Sequence, residues 1–154
     1  MVSEEAKKLV LLVLGLAEGH IDTDTRMQKL AFLVNQEVFH WIKFVADKYG
    51  PYSEELMKAV DKLEKEGKLV YIWDDDGVFK YFLTEKGKED AKKLLSQLKD
   101  KDEDKLKKAM EIIQKYKDKP PTYLAAYTHK YYPEYAEKSI IKDKVERWIQ
   151  FYHL

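Results

Sequence analysis

A mainly α-helical fold with one small β-hairpin is what this sequence predicts, and three observations predict it. Apolar residues recur at helical spacing through most of the 154 residues. Leu69–Trp73 and Val78–Leu83 break that habit, being rich in β-branched and aromatic residues around Asp76-Gly77, a strong hairpin signal. Residues that start and stop helices flank this stretch: Ser53 ahead of Glu54 and Glu55, Gly67 after the helix, and Thr84 before the next one. Helix, hairpin, helix is the order of a winged helix-turn-helix. The predicted architecture is therefore a winged helix-turn-helix domain over residues 1–99 and a C-terminal helical extension over residues 100–154, packed on it or forming a dimer seam.

The first predicted helix runs Ser3–Ala17, with Leu9, Val10, Leu12, Val13 and Leu16 apolar on more than one side, as a central core helix requires. Gly19 ends it, and His20-Ile21-Asp22 reads as a short link. Thr25 with Gln28 three residues on matches a capping box, opening a helix whose buried stripe is Met27, Leu30, Ala31, Leu33, Val34 and Val38. Arg26 and Lys29 are left exposed near its start. Trp41, Ile42, Phe44 and Val45 predict an extended, partly buried segment over Phe39–Tyr49, a short strand joining the hairpin sheet. Between Ser53 and Gly67, Leu56, Met57, Val60 and Leu63 form one apolar stripe opposite a charged face. Thr84–Leu98 repeats the pattern with Ala91, Leu94, Leu95 and Leu98, and Gly87 lets its first turn approach the sheet. The charge run Lys99–Lys105 marks the boundary as a solvated junction. Beyond it, Leu106, Ala109, Met110, Ile113 and Tyr116 define one helix, and Thr122–Tyr132 a second after Pro120-Pro121. Ser139 caps a last one carrying Ile141, Val145, Trp148, Ile149 and Tyr152.

Composition excludes several function classes. The longest apolar run, Leu9–Leu14, is far short of the roughly 20 residues that cross a bilayer. No basic segment with a cleavage site opens the chain, and there is no cysteine, so a cytoplasmic protein without disulfides is expected. The formal net charge is zero, where duplex binders usually carry a basic excess. Residues 1–100 hold 16 basic and 19 acidic groups, and residues 101–154 hold 12 and 9, so the hairpin half is the acidic half.

Three pieces carry a family resemblance: Thr25–Leu33 (TRMQKLAFL), Tyr49–Leu56 (YGPYSEEL) and Leu83–Glu89 (LTEKGKE). Their order and spacing resemble the YwgA-like group of archaeal, bacterial and phage-associated winged-helix proteins. Tyr131–Tyr135 (YYPEY) followed by Lys138–Ile141 (KSII) resembles a tail of its archaeal members. Lys29-Leu30 with Tyr49-Gly50-Pro51 is more distantly similar to the Panacea (SocA-like) antitoxin domains. The match covers about Thr25–Ala91. It implies a regulatory or interaction role, and it carries over no catalytic residue.

The residues themselves offer little chemistry. His20, His40, His129 and His153 lie too far apart for a short metal-ligand spacing, and neither G-x-S-x-G nor a glycine-rich phosphate loop occurs. Asp74-Asp75-Asp76 lacks the spacing of an oxygen-ligand loop and reads as a turn. No catalytic, cofactor or metal site is expected. Groove docking would place the helix after Ser53 and the hairpin against DNA, yet Ser53–Glu66 carries five carboxylates against three lysines. A polypeptide partner is therefore expected ahead of duplex DNA, with no membrane partner. Candidate contacts are Arg26, Lys29, Tyr49, Tyr52, Lys58 and Lys62; a DNA-binding regulator using Arg26, Lys29, Lys58 and Lys62 is the alternative. Tyr123, Tyr127, Tyr131, Trp148 and Tyr152 are candidates for a homodimer seam, because Tyr and Trp anchor interfaces as readily as cores.

Overall fold

The computed structural model describes residues 2–154. Among these residues the chain forms seven α-helices, a three-stranded antiparallel sheet and a separate two-stranded ribbon. In chain order these are α1 Glu4–Leu16, β1 His20–Asp22, α2 Asp24–Val34, β2 Val45–Asp47, β3 Gly50–Tyr52, α3 Glu54–Lys65, β4 Leu69–Trp73, β5 Phe79–Leu83, α4 Glu85–Lys101, α5 Glu103–Tyr116, α6 Pro121–Tyr131 and α7 Lys142–Tyr152. No helix is long and apolar enough to cross a membrane among the described residues.

Local chemistry sets most of the boundaries. Ser3, Ser53 and Thr84 each accept a hydrogen bond from the backbone N–H three residues on, relieving an orphan donor of α1, α3 and α4. Asp102 closes α4 and accepts from Lys105 N at 3.2 Å to open α5, so the charge run is a tight joint between helices. Two expected caps differ. α2 is capped by Thr23, not Thr25, and Gln28 is drawn away from capping to a tertiary partner. α7 begins at Lys142 without a side-chain cap, because the Ser139 hydroxyl is engaged by His129 and Ile141 N.

The sheet has strand order β1-β5-β4, all antiparallel. His20–Asp22 is thus a strand rather than a link; three residues show no periodicity, and only pairing with β5 makes them β. Asp74 N donates to Val78 O at 3.1 Å and Gly77 N to Asp74 O at 3.0 Å, while Gly77 takes a φ of +75°. This is a three-residue hairpin loop whose last position favours glycine. Of the six glycines, Gly87 meets its surroundings most closely: a Cβ there would stand 1.9 Å from Lys68 O, so the first turn of α4 lies directly on the start of β4.

Phe39–Tyr49 does not join that sheet. α2 runs into a π-helical turn, Asn35–Phe39, and His40 leaves it in a left-handed conformation. Asn35 then holds the outgoing chain, its Oδ1 accepting from Trp41 N and Ile42 N and its Nδ2 donating to Ile42 O at 2.8 Å. Val45–Asp47 pairs only with Gly50–Tyr52 as a separate two-stranded ribbon. One continuous cluster of buried apolar residues joins Leu9, Leu12 and Leu14 of α1 to Leu30 and Phe32 of α2, Leu56 and Leu63 of α3, Tyr81 of β5, Ile113 of α5 and Leu124 of α6.

Candidate functional site

The start of α2, the Gly50–Ser53 segment and α6 converge on one polar cluster. Lys29 is 3% exposed, contrary to the expectation of a surface position. Its one-turn neighbours on the helix, Phe32 and Leu33, belong to the core, and the ammonium reaches Pro51 O at 3.0 Å to escape being orphaned there. Burial pulls its pKa down to about 8, partly opposed by the Asp47 carboxylate. Beside it, the Gln28 amide both donates to Ser53 O and accepts from Ser53 N, each at 3.0 Å. Two of the three sequence pieces that carry the family resemblance are therefore bolted together by consecutive residues of α2.

His129 closes this cluster from α6. Its Nδ1 lies 2.7 Å from Ala125 O, so that nitrogen bears the proton, and Nε2 accepts from the Ser139 hydroxyl at 2.7 Å. Burial, with Lys29 and Lys142 nearby, holds the imidazole below its ordinary pKa. A Cβ on Gly50, whose φ is +102°, would sit 3.0 Å from the His129 ring, so the ring caps the turn directly. The serine–histidine pairing has a nucleophile and a base at bonding distance, but His129 is sealed in the packed junction rather than facing an open cleft. It ties the C-terminal helices to the turn.

Arg26 is half-buried and equally committed. Its Nε and Nη2 donate to Lys119 O at 3.1 and 2.9 Å, and Nη1 to Asp22 O at 3.2 Å. The guanidinium clamps the α5–α6 connection to α2 and β1. Of the other candidate contacts, Tyr49 is exposed and Tyr52 half-buried, its phenol pushed up by burial and by the nearby Glu54, Asp47 and Asp24 carboxylates. Lys58 and Lys62 are exposed on α3, with Lys58 3.6 Å from Glu54.

The exposed face of α3 also carries Asp61, Glu64 and Lys65. In the hairpin loop, Asp74 takes Lys80 at 2.7 Å and accepts from Asp76 N and Val78 N, which holds its carboxyl below the usual range. Asp75 and Asp76 point to solvent. At the middle of the hairpin, Tyr71 and Tyr81 both donate to Asp24, a carboxylate in the first turn of α2; burial and that carboxylate push the Tyr71 phenol up to about 12 and Tyr81 higher still.

The tyrosines of the C-terminal half are mostly used within the chain. Tyr127 packs on Tyr116 at 5.1 Å, Tyr123 packs edge-on to Tyr152 at 5.2 Å, and the Tyr152 and Thr122 hydroxyls are 2.5 Å apart. Trp148 is half-buried, whereas Tyr131 and Phe151 face outward. Asp24 was not marked by the sequence because its partners lie about fifty residues away, nor was Asn35; His129 was weighed only as a metal ligand and Ser139 only as a helix cap, since their pairing depends on how the chain turns after α6. Among the described residues, no group of three His, Asp or Glu side chains could hold a metal ion. No protein-family model matches the chain, and no curated protein matches it either.

Proposed function

We propose that this chain is a non-enzymatic winged-helix protein that works by binding a macromolecule, and that the partner is a polypeptide rather than duplex DNA. Element order supports the winged-helix part: α1, β1, α2, α3, then the β4–β5 hairpin, with β1 pairing onto β5. The observation that carries the choice of partner is the sign of charge on the two elements that would meet a groove. α3 presents Glu54, Asp61 and Glu64 alongside its lysines, and the loop presents Asp75 and Asp76. The exposed charges of α3 only balance, Lys58, Lys62 and Lys65 against Glu54, Asp61 and Glu64, and the loop adds carboxylates alone, so the two elements together offer a phosphate backbone no cationic excess.

The alternative, a DNA-binding regulator docking through Arg26, Lys29, Lys58 and Lys62, is weakened at half of its residues. Lys29 is buried and Arg26 is held by three main-chain bonds. Fluorescence anisotropy with a random duplex at low and moderate salt separates the two. The expected result is no saturation below about 100 μM, the weak end of ordinary non-specific binding. Tighter binding that falls steeply with added salt would reverse the assignment.

A further inference from the structure

The hairpin sheet ends at β4, which pairs only with β5, and its backbone geometry can be read strand by strand. Asp74 N bonds Val78 O, and Thr84 N bonds Lys68 O at 3.1 Å. With the register Val70↔Phe82, Tyr71↔Tyr81 and Ile72↔Lys80, alternation makes residues 70 and 72 the ones that exchange hydrogen bonds with β5. The N–H and C=O groups of Leu69, Tyr71 and Trp73 therefore point away from β5, along the open edge. One bond reports this directly: Tyr71 N donates outward to the Glu64 carboxylate of α3 at 3.3 Å.

That edge is unusually apolar for one left in water. Val70 is 40% exposed, Ile72 41% and Trp73 62%. Edge strands are ordinarily blunted by charge or proline, because their unpaired groups template pairing with another chain. Here the charge lies around the edge rather than on it: Asp61 and Glu64 on α3 and Asp75 and Asp76 in the loop are all exposed, against Lys62 and Lys65 on α3, which leaves carboxylates in excess. A second copy adding itself edge to edge would bring like carboxylates together. A partner strand bearing lysine or arginine would neutralise them.

We infer that β4 is a docking edge for an extended, basic segment of a partner protein, which adds as a fourth strand and displaces Glu64 from Tyr71 N. Strand addition supplies main-chain hydrogen bonds for affinity, and alternate side chains supply selectivity. Valine or isoleucine at every second position would cover Val70 and Ile72, and the intervening cations would face Glu64 and Asp75. The inference rests on the polypeptide-binding reading above and names where and what that partner is.

The test is a titration of isotope-labelled full-length protein, followed by amide NMR, with a nine-residue peptide alternating lysine and valine. Controls are the glutamate–valine counterpart and a lysine–valine peptide with a central proline. Expected are saturable shifts centred on Tyr71 to Trp73, slowed hydrogen exchange at those amides, and binding at least tenfold weaker for both controls. Trp73→Pro, which deletes an outward N–H, should lose the peptide, and Trp73→Val should retain it. If the proline variant fails to fold, the interrupted peptide still tests strand pairing. The proposal falls if the lysine peptide leaves β4 unmoved at millimolar concentration, if the acidic peptide binds equally, or if the shifts centre elsewhere. It also falls if the edge pairs with a second copy, seen as a dimer by light scattering that Trp73→Pro abolishes. Peptide binding alongside tight duplex binding would sustain the edge and overturn only the preference for polypeptide over DNA.

Discussion

Glycines and buried bases make the sharpest residue-scale tests. Gly87→Ala forces a Cβ to within 1.9 Å of a backbone oxygen that also accepts from Thr84 N, so neither side can yield cheaply. A loss of about 3 kcal/mol is expected in urea denaturation. Gly67→Ala meets open space and should cost only about 1 kcal/mol, from its φ of +75°. Lys29 and His129 make stability depend on pH with a defined sign. Lys29 has a folded pKa of about 8, against 10.5 ordinarily, so between those values the unfolded chain holds a proton the folded chain lacks. Stability from this residue therefore rises with pH through that window, by about 1.4 kcal/mol per unit, and is flat below it. Lys29→Met should remove that rise, and parallel pH curves for wild type and variant would refute the buried ammonium. His129 is also lowered, so its contribution is complete above about pH 6.5 and lost as pH falls below it. His129→Gln should flatten the acid limb of the same curve. The glycine approach was legible in the sequence, since a glycine in a helix's first turn asks for a neighbour. Lys29 was misjudged because a lysine one turn from Arg26 looks solvated until its helix face is known.

At the scale of elements, what could be read from sequence was whatever nearest neighbours determine. Ser53 and Thr84 cap their helices as expected because the acceptor and its donor are three residues apart, and Ser3 caps α1 in the same way. β1 was missed because its identity comes from β5, about sixty residues later. The capping box at Thr25 failed for the same kind of reason: Gln28 bonds Ser53 in preference to its own helix end. That reciprocal bond is the joint between α2 and α3. Gln28→Leu keeps the volume and leaves a buried N–H and C=O of Ser53 without partners, so a loss of about 2–4 kcal/mol is expected. A change below about 0.5 kcal/mol would mean that the joint is carried by packing alone.

For the whole molecule, the shared core decides how the chain comes apart. Leu106, Ala109, Ile113 and Leu124 lie in the same buried cluster as α1, α2 and α3. Removing residues 100–154 would open that cluster to water along α2. The truncated chain is expected to lose cooperative thermal unfolding and to bind a hydrophobic dye, while a sharp two-state melt would show the first 99 residues to be self-sufficient. Sequence periodicity placed α5, α6 and α7 but could not say which faces met α2, because amphipathic helices reveal a buried side without naming what buries it. Arg26 supplies part of the answer, reaching across to the α5–α6 connection. Since it grasps Lys119 through the carbonyl, and Lys29 grasps Pro51 likewise, neither anchor reads the identity of the residue it holds. A substitution at position 119 that leaves the main chain in place therefore keeps the clamp and gives up only the seat of the Lys119 ammonium over the Tyr123 ring.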